Sequence, residues 1–126
     1  MADVLAKLDT ESLLRGLRDY APDAELLFDS LTAVFSRELP WYARLWCAVL
    51  LGRTATDPAN AVEVLGRGLS DPESHVRVAV LGALARAGGP LALPLLREVA
   101  NNRGQRGLVR NAAIKAIGKV NGGGCE

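Results

Sequence analysis

The chain has 126 residues, 49% hydrophobic and 23% charged, with a formal net charge of +1. That length supports one domain with a modest core, and the near-neutral balance is a weak footprint for nucleic-acid binding. No uncharged apolar run of about 18 residues, no secretory leader and no disulfide framework can be read from it, so a cytoplasmic chain with free thiols is expected.

Taken in chain order, helical periodicity begins at residues 10–20, where Leu13, Leu14 and Leu17 share a face and Asp9 or Thr10 can cap it. Pro22 opens a second helix, to about Arg37. Leu39-Pro40 opens a third, ending near Arg53, and Thr54 to Pro58 form a loop. A fourth helix is predicted over 59–69 and a fifth over 73–87, after the Asp71-Pro72 turn. A sixth follows Pro90 to about Asn101, and a seventh covers 106–120 before Gly122-Gly123-Gly124. Aromatics are only 5% of the chain, so the core is built from Leu, Val and Ala, which suits close helix packing better than a β-sandwich. Gly16, Gly66, Gly68 and Gly82 fall inside helices and are expected to permit close approach.

The chain repeats. Arg44, Arg77 and Arg110 are 33 residues apart, and their surroundings repeat with them: Ala43-Arg44-Leu45, Val76-Arg77-Val78 and Val109-Arg110-Asn111, each running on to a glycine or alanine. A period of this length means stacked helical units that bury their apolar faces against neighbours.

Residues 69–79 place Asp71-Pro72 in a turn, then Val76-Arg77, then alternating small and apolar residues. This segment resembles a HEAT repeat, particularly the short HEAT-like type named after phycobilisome lyase subunits. Residues 109–118 match the second half of that signature, and residues 41–52 match it loosely, with Ala43-Arg44 in place of Val-Arg. The resemblance covers about residues 40–120. It implies an all-α, right-handed α-solenoid of about seven helices in three and a half antiparallel pairs. Residues 1–120 would be one domain, with 1–39 as atypical capping helices and 121–126 as a flexible tail. It also implies a ladder of turn carboxylates and arginines stitching the repeats together, here Asp71 with Arg44, Arg77 and Arg110; Arg77 is expected to take Asp71. Asn102 rather than Asp precedes the third Val-Arg, with six residues between instead of four, so the last contact departs from the pattern.

With the repeating arginine at zero on a wheel of 100° per residue, offsets −1, +2, +3, +6, +7 and +10 form an apolar arc assigned to the core. The opposite arc should be polar in a monomer. It instead carries Leu45, Ala48, Val49, Gly52, then Val78, Leu81, Gly82, Ala85, then Asn111, Ile114, Lys115, Gly118. Arg44, Arg77 and Arg110 border it on one side, and Arg53, Arg86 and Lys119 on the other. In HEAT-like solenoids the second helix of each pair lines the concave surface, so the resemblance implies an apolar floor between two basic rows. Exposed apolar surface marks an interaction site, here fitted to an amphipathic segment with acidic flanks. The expected partner-contacting residues are Leu45, Val49, Val78, Leu81, Arg86, Asn111, Ile114, Lys115 and Lys119. Burial within the chain or a homodimer would cover the same arc. Residues 1–66 carry a net −4 and residues 67–126 a net +5, which would also support end-to-end association.

Catalytic chemistry is sparse. His75 is the one histidine, beside Asp71 and Glu73, and a metal site wants several ligands in a cluster. Cys47 falls on an apolar face and Cys125 in the glycine-rich tail. No cofactor, metal or catalytic residue is expected. Deoxyhypusine hydroxylases are HEAT enzymes that bind iron through His-Glu pairs, and the absence of any such pair excludes that activity on sequence grounds. Trp41 and Tyr42 could edge a binding site. The expected function is a non-enzymatic protein-binding adaptor or scaffold. The alternatives are a self-associating structural protein, a lyase-subunit-like protein, or a DNA-glycosylase-like nucleic-acid binder using Arg103, Arg106, Arg110, Lys115 and Lys119.

Overall fold

The computed structural model describes residues 31–32 and 39–122. The first two expected helices and the tail lie outside the described residues, apart from Leu31 and Thr32, which are helical. Among the described residues all regular structure is helical. It comprises α1 (Trp41–Thr54), α2 (Pro58–Gly66), α3 (Ser74–Gly88), α4 (Leu93–Asn101) and α5 (Gly107–Asn121), with 3-10 turns at Arg67–Ser70 and Gly89–Ala92. The last five expected helices are therefore present, the fourth finishing as a 3-10 turn.

Local chemistry sets the boundaries. Asp57 accepts a hydrogen bond from the Ala59 N–H at 3.1 Å, and Pro58 occupies the first turn of α2, where a missing N–H costs nothing. The Asp71 carboxylate accepts from the Glu73 N–H at 2.9 Å, and Glu73 is the N-cap of α3. Gly89 sits at φ +53, in the left-handed region, and ends α3. That break matters, because the helical run Ser74–Asn101 is by length and composition apolar enough to cross a membrane, with a mean hydropathy of 1.5 over an 18-residue window. No such run was expected. Gly89 and Pro90 divide it into two helices rather than one rod.

Helix α3 is central. It packs against α1 on one side and α5 on the other, with α2 and both 3-10 turns against it, while α4 packs on α5. Leu51, Leu65, Val76, Val80, Leu81, Leu84, Leu96 and Val109 are fully sealed from water. Each such side chain contributes about 1.5–3 kcal/mol on burial. The core arc of the wheel is thus largely correct, with Ala43, Trp46, Ala79, Ala87, Ala112, Ile117 and Val120 only half-buried.

The opposite arc splits in two. On α1 and α3 offsets +1 and +4, and on α1 also offset +8, face the next helix of the stack. Ala48 is fully buried, and a Cβ placed on Gly52 would lie 2.7 Å from the Ala83 Cβ, so α1 and α3 approach to near backbone contact there. Leu45 and Val78 are half-buried against the core, and Leu81 is completely buried. These three are therefore not an exposed floor, because stacking a repeat buries two sides of its inner helix, not one. Gly82 is the reverse case: a Cβ there would meet nothing within 4 Å, so it is no packing glycine.

Candidate functional site

The first feature is the turn before α3, which joins α1 and α3 through side-chain hydrogen bonds. Arg44 reaches across the repeat to Asp71, with Nε to Oδ2 at 2.7 Å and Nη2 to Oδ1 at 3.0 Å, and its Nη1 donates to the Leu39 carbonyl. Burial alone would push the Asp71 carboxyl up. The Arg44 hydrogen bonds, the Glu73 N–H and the nearby Arg77 charge outweigh it and hold the group below the usual carboxylate range. Arg77, expected to take Asp71, instead donates from Nη1 to the Asp71 backbone carbonyl at 2.6 Å. Its Nε is buried without a partner, as is Nε of Arg110. The reason is visible one turn on. Asn102 occupies the place of Asp71, spends its side-chain oxygen on the Gly104 N–H at 2.8 Å, and brings no charge to Arg77. Arg77, Asn102, Gly104 and Gln105 line a shallow cavity of about 420 Å³ at this uncompleted rung.

The second feature is a groove of about 620 Å³ along α1, α3 and α5. Val49, Ala79, Gly82, Ala83 and Ala85 form its floor, and Arg53, Arg86 and Lys119 line it. It is centred on offsets +5 and +9, rotated from the arc read on the wheel. Of the expected contact residues, Val49, Arg86 and Lys119 line it. Asn111, Ile114 and Lys115 are exposed on α5, and Leu45, Val78 and Leu81 are packed away. The two basic rows become one. Arg53, Arg86 and Lys119 belong to the groove, whereas Arg44 and Arg77 are turned into the turn ladder. The wheel assigns Ala79 and Ala83 wholly to the core, and their 33-residue spacing from Trp46 and Leu50 gives no sign that they also floor a groove.

The third feature is an edge where Trp41, 44% exposed, meets Tyr42 edge-on at 6.0 Å and the His75 ring at 5.7 Å. The His75 Nδ1 and the Glu73 Oε1 are 2.9 Å apart, so a histidine–carboxylate pair does exist in space, two residues apart rather than adjacent. It stands alone: the described residues contain no group of three or more His, Cys, Asp or Glu that could hold a metal ion. They do not fit an iron site, and no step through iron is assigned to them. Cys47 is buried, which pushes its thiol pKa up and away from nucleophilic use.

Comparison with known proteins bears on this arrangement. The sequence profile of HEAT repeats matches residues 28–118. Curated relatives include the deoxyhypusine hydroxylase of Neosartorya fischeri, 31% identical over 93 residues, covering 70% of this chain and 27% of the relative. That of Aspergillus clavatus is 30% identical over the same length and coverage, and that of Aspergillus fumigatus 30% identical over 87 residues, covering 65% of this chain and 26% of the relative. The chain thus spans about a quarter of their length. No solved structure matches it. These relatives overturn the expectation of a non-enzymatic adaptor or scaffold, and with it the exclusion of hydroxylase activity on sequence grounds. That exclusion rested on the lack of a His-Glu pair, whereas the family match spans the helical repeats of residues 28–118.

Proposed function

The chain belongs to the HEAT-repeat family, and on that premise we propose that it serves an enzyme of the deoxyhypusine hydroxylase type as the unit that receives the substrate-bearing polypeptide. The observation that carries this reading is the groove, with an apolar floor and Arg53, Arg86 and Lys119 along it. Deoxyhypusine has a cationic side chain, which a cationic groove repels. The groove fits acidic residues elsewhere on the same polypeptide, where desolvated contacts on the floor supply affinity and the cations supply attraction and orientation. Oxidation itself is left to residues other than those described, since these hold no metal cluster. The same reading takes the helices as a right-handed solenoid of three and a half antiparallel pairs, acting in the cytoplasm.

The test uses a protein carrying deoxyhypusine, titrated with the full chain. Binding should weaken with salt and fall at least tenfold (about 1.4 kcal/mol) in Arg86→Glu with Lys119→Glu. Mass spectrometry after incubation with the full chain, ferrous iron, dioxygen and a reductant reads hydroxylation directly, one oxygen atom entering the side chain and the other leaving as water. A chain that neither binds nor modifies that protein overturns the proposal, as does binding indifferent to both charge reversals.

A further inference from the structure

Arg44 and Arg77 are posed alike, one repeat apart. Each donates its Nη1 to a backbone carbonyl upstream, Arg44 to that of Leu39 and Arg77 to that of Asp71. The Nε edge of Arg44 then holds the Asp71 carboxylate, with Nε to Oδ2 at 2.7 Å and Nη2 to Oδ1 at 3.0 Å. On Arg77 the same Nε is buried and meets no acceptor. Asp71 lies 27 residues after Arg44, and the residue at that spacing from Arg77 is Gly104, which has no side chain. Asn102 turns its side-chain oxygen to the Gly104 N–H. Where a second carboxylate would complete the rung, Arg77 instead borders the cavity of about 420 Å³ that it shares with Ser70, Asp71, Asn102, Gly104 and Gln105.

We propose that this cavity binds a carboxylate, gripped by the Nε edge of Arg77 as Asp71 is gripped by Arg44. The first rung supplies the template for the ligand's chemistry: a planar, two-oxygen anion that matches the guanidinium fork. The volume lies in the range of small-ligand sites and leaves room for a short organic acid behind its carboxylate. An acidic side chain of a polypeptide would make the same contact. Charge agrees. Asp71 lines the cavity, but its carboxylate is paired with Arg44, and Glu73 is turned to His75. Arg103 and Arg106 follow Asn102 and Gln105 in the chain and are exposed, so cations predominate around the cavity. The site is separate from the groove: Arg77 and Arg86 are nine residues apart on α3, about 14 Å along the helix.

The full chain is titrated with glutarate and with N-acetylaspartate amide at constant ionic strength, and the arginine Nε–H resonances are followed by NMR. Arg110, whose Nε is also unpartnered but which does not line the cavity, is the internal control. The Arg77 resonance should move and saturate while that of Arg110 stays still. A response to glutarate alone assigns the site to a small acid, a response to the blocked aspartate alone to a polypeptide side chain, and a response to both to either source. Asn102→Asp, which brings a carboxylate of the chain itself to Arg77, should weaken binding at least tenfold. Arg77→Lys, which keeps the charge and loses the fork, should do the same, read at the Gly104 amide. If Arg77→Lys does not fold, Asn102→Asp decides, since it leaves the arginine in place. An Arg77 resonance indifferent to both carboxylates overturns the proposal. So does sulfate binding as well as they do, or an Asn102→Asp chain that binds them like the native one.

Discussion

The Arg44 guanidinium holds the Asp71 carboxylate with two hydrogen bonds, at 2.7 and 3.0 Å, across 27 residues and one repeat boundary. Their side chains are 21% and 9% exposed, so the pair is partly dry. Removing one member leaves the other buried and charged, a loss of about 1.5–3 kcal/mol for a charged hydrogen bond. Arg44→Ala should therefore lower stability in urea by that order. Arg77→Ala, which loses one bond to a carbonyl, should cost less, and exposed Arg86→Ala about 0.5 kcal/mol or less. The order Arg44, Arg77, Arg86 is the prediction, and an Arg77→Ala variant as unstable as Arg44→Ala would contradict it. Conversely, Asn102→Asp should stabilise by about 0.5–1 kcal/mol, in a salt-dependent way, by giving Arg77 the carboxylate it lacks.

Acid should dissolve the clasp in a defined direction. The folded Asp71 pKa lies below its usual value, so the unfolded chain binds the proton more readily. Its contribution to stability is whole above the unfolded value of about 4 and is lost as pH falls through the depressed folded value. Urea melts from about pH 6 down to about pH 2 should show a steep decline at the acidic end that is shallower in Asp71→Asn. Glu73 is also held low by His75, but the exposed pair should add little.

Leu81 and Ile114 occupy equivalent positions one repeat apart, yet one is sealed and the other 57% exposed. Leu81→Glu should unfold the domain, because it buries a charge with no partner. Ile114→Glu should leave circular dichroism and the melting temperature nearly unchanged. Leu84→Ala should cost about 2–5 kcal/mol, as truncation of a sealed leucine does. Matching melts for Leu81→Glu and Ile114→Glu would show that the stack ends elsewhere.

The glycines separate in the same manner. Gly82→Ala adds a methyl in open space on a helix and should stabilise by about 1 kcal/mol. Gly52→Ala puts a Cβ 2.7 Å from that of Ala83 and should destabilise by about 1–3 kcal/mol, as overpacking does. Thermal melts of the two variants moving in the same direction would contradict the close approach of α1 and α3.

The 33-residue period, the helix boundaries and the core arc were legible in the sequence, because capping residues, prolines and apolar spacing act within a turn or two of helix. Val76, Val80, Leu84 and Val109 are buried where the wheel put them. The departure of Asn102 from Asp was also legible, and its consequence is the buried, unpartnered Nε of Arg77. What covers the second apolar arc was not. A wheel separates apolar from polar but does not distinguish a face pressed on the next repeat from a face open to a partner, and Leu45, Val78 and Leu81 belong to the first kind. Nor could spacing within one helix show that Asp71 is taken by Arg44, 27 residues away, rather than by Arg77, six away. Those assignments depend on the distance and rotation between neighbouring repeats, which only the packed stack decides.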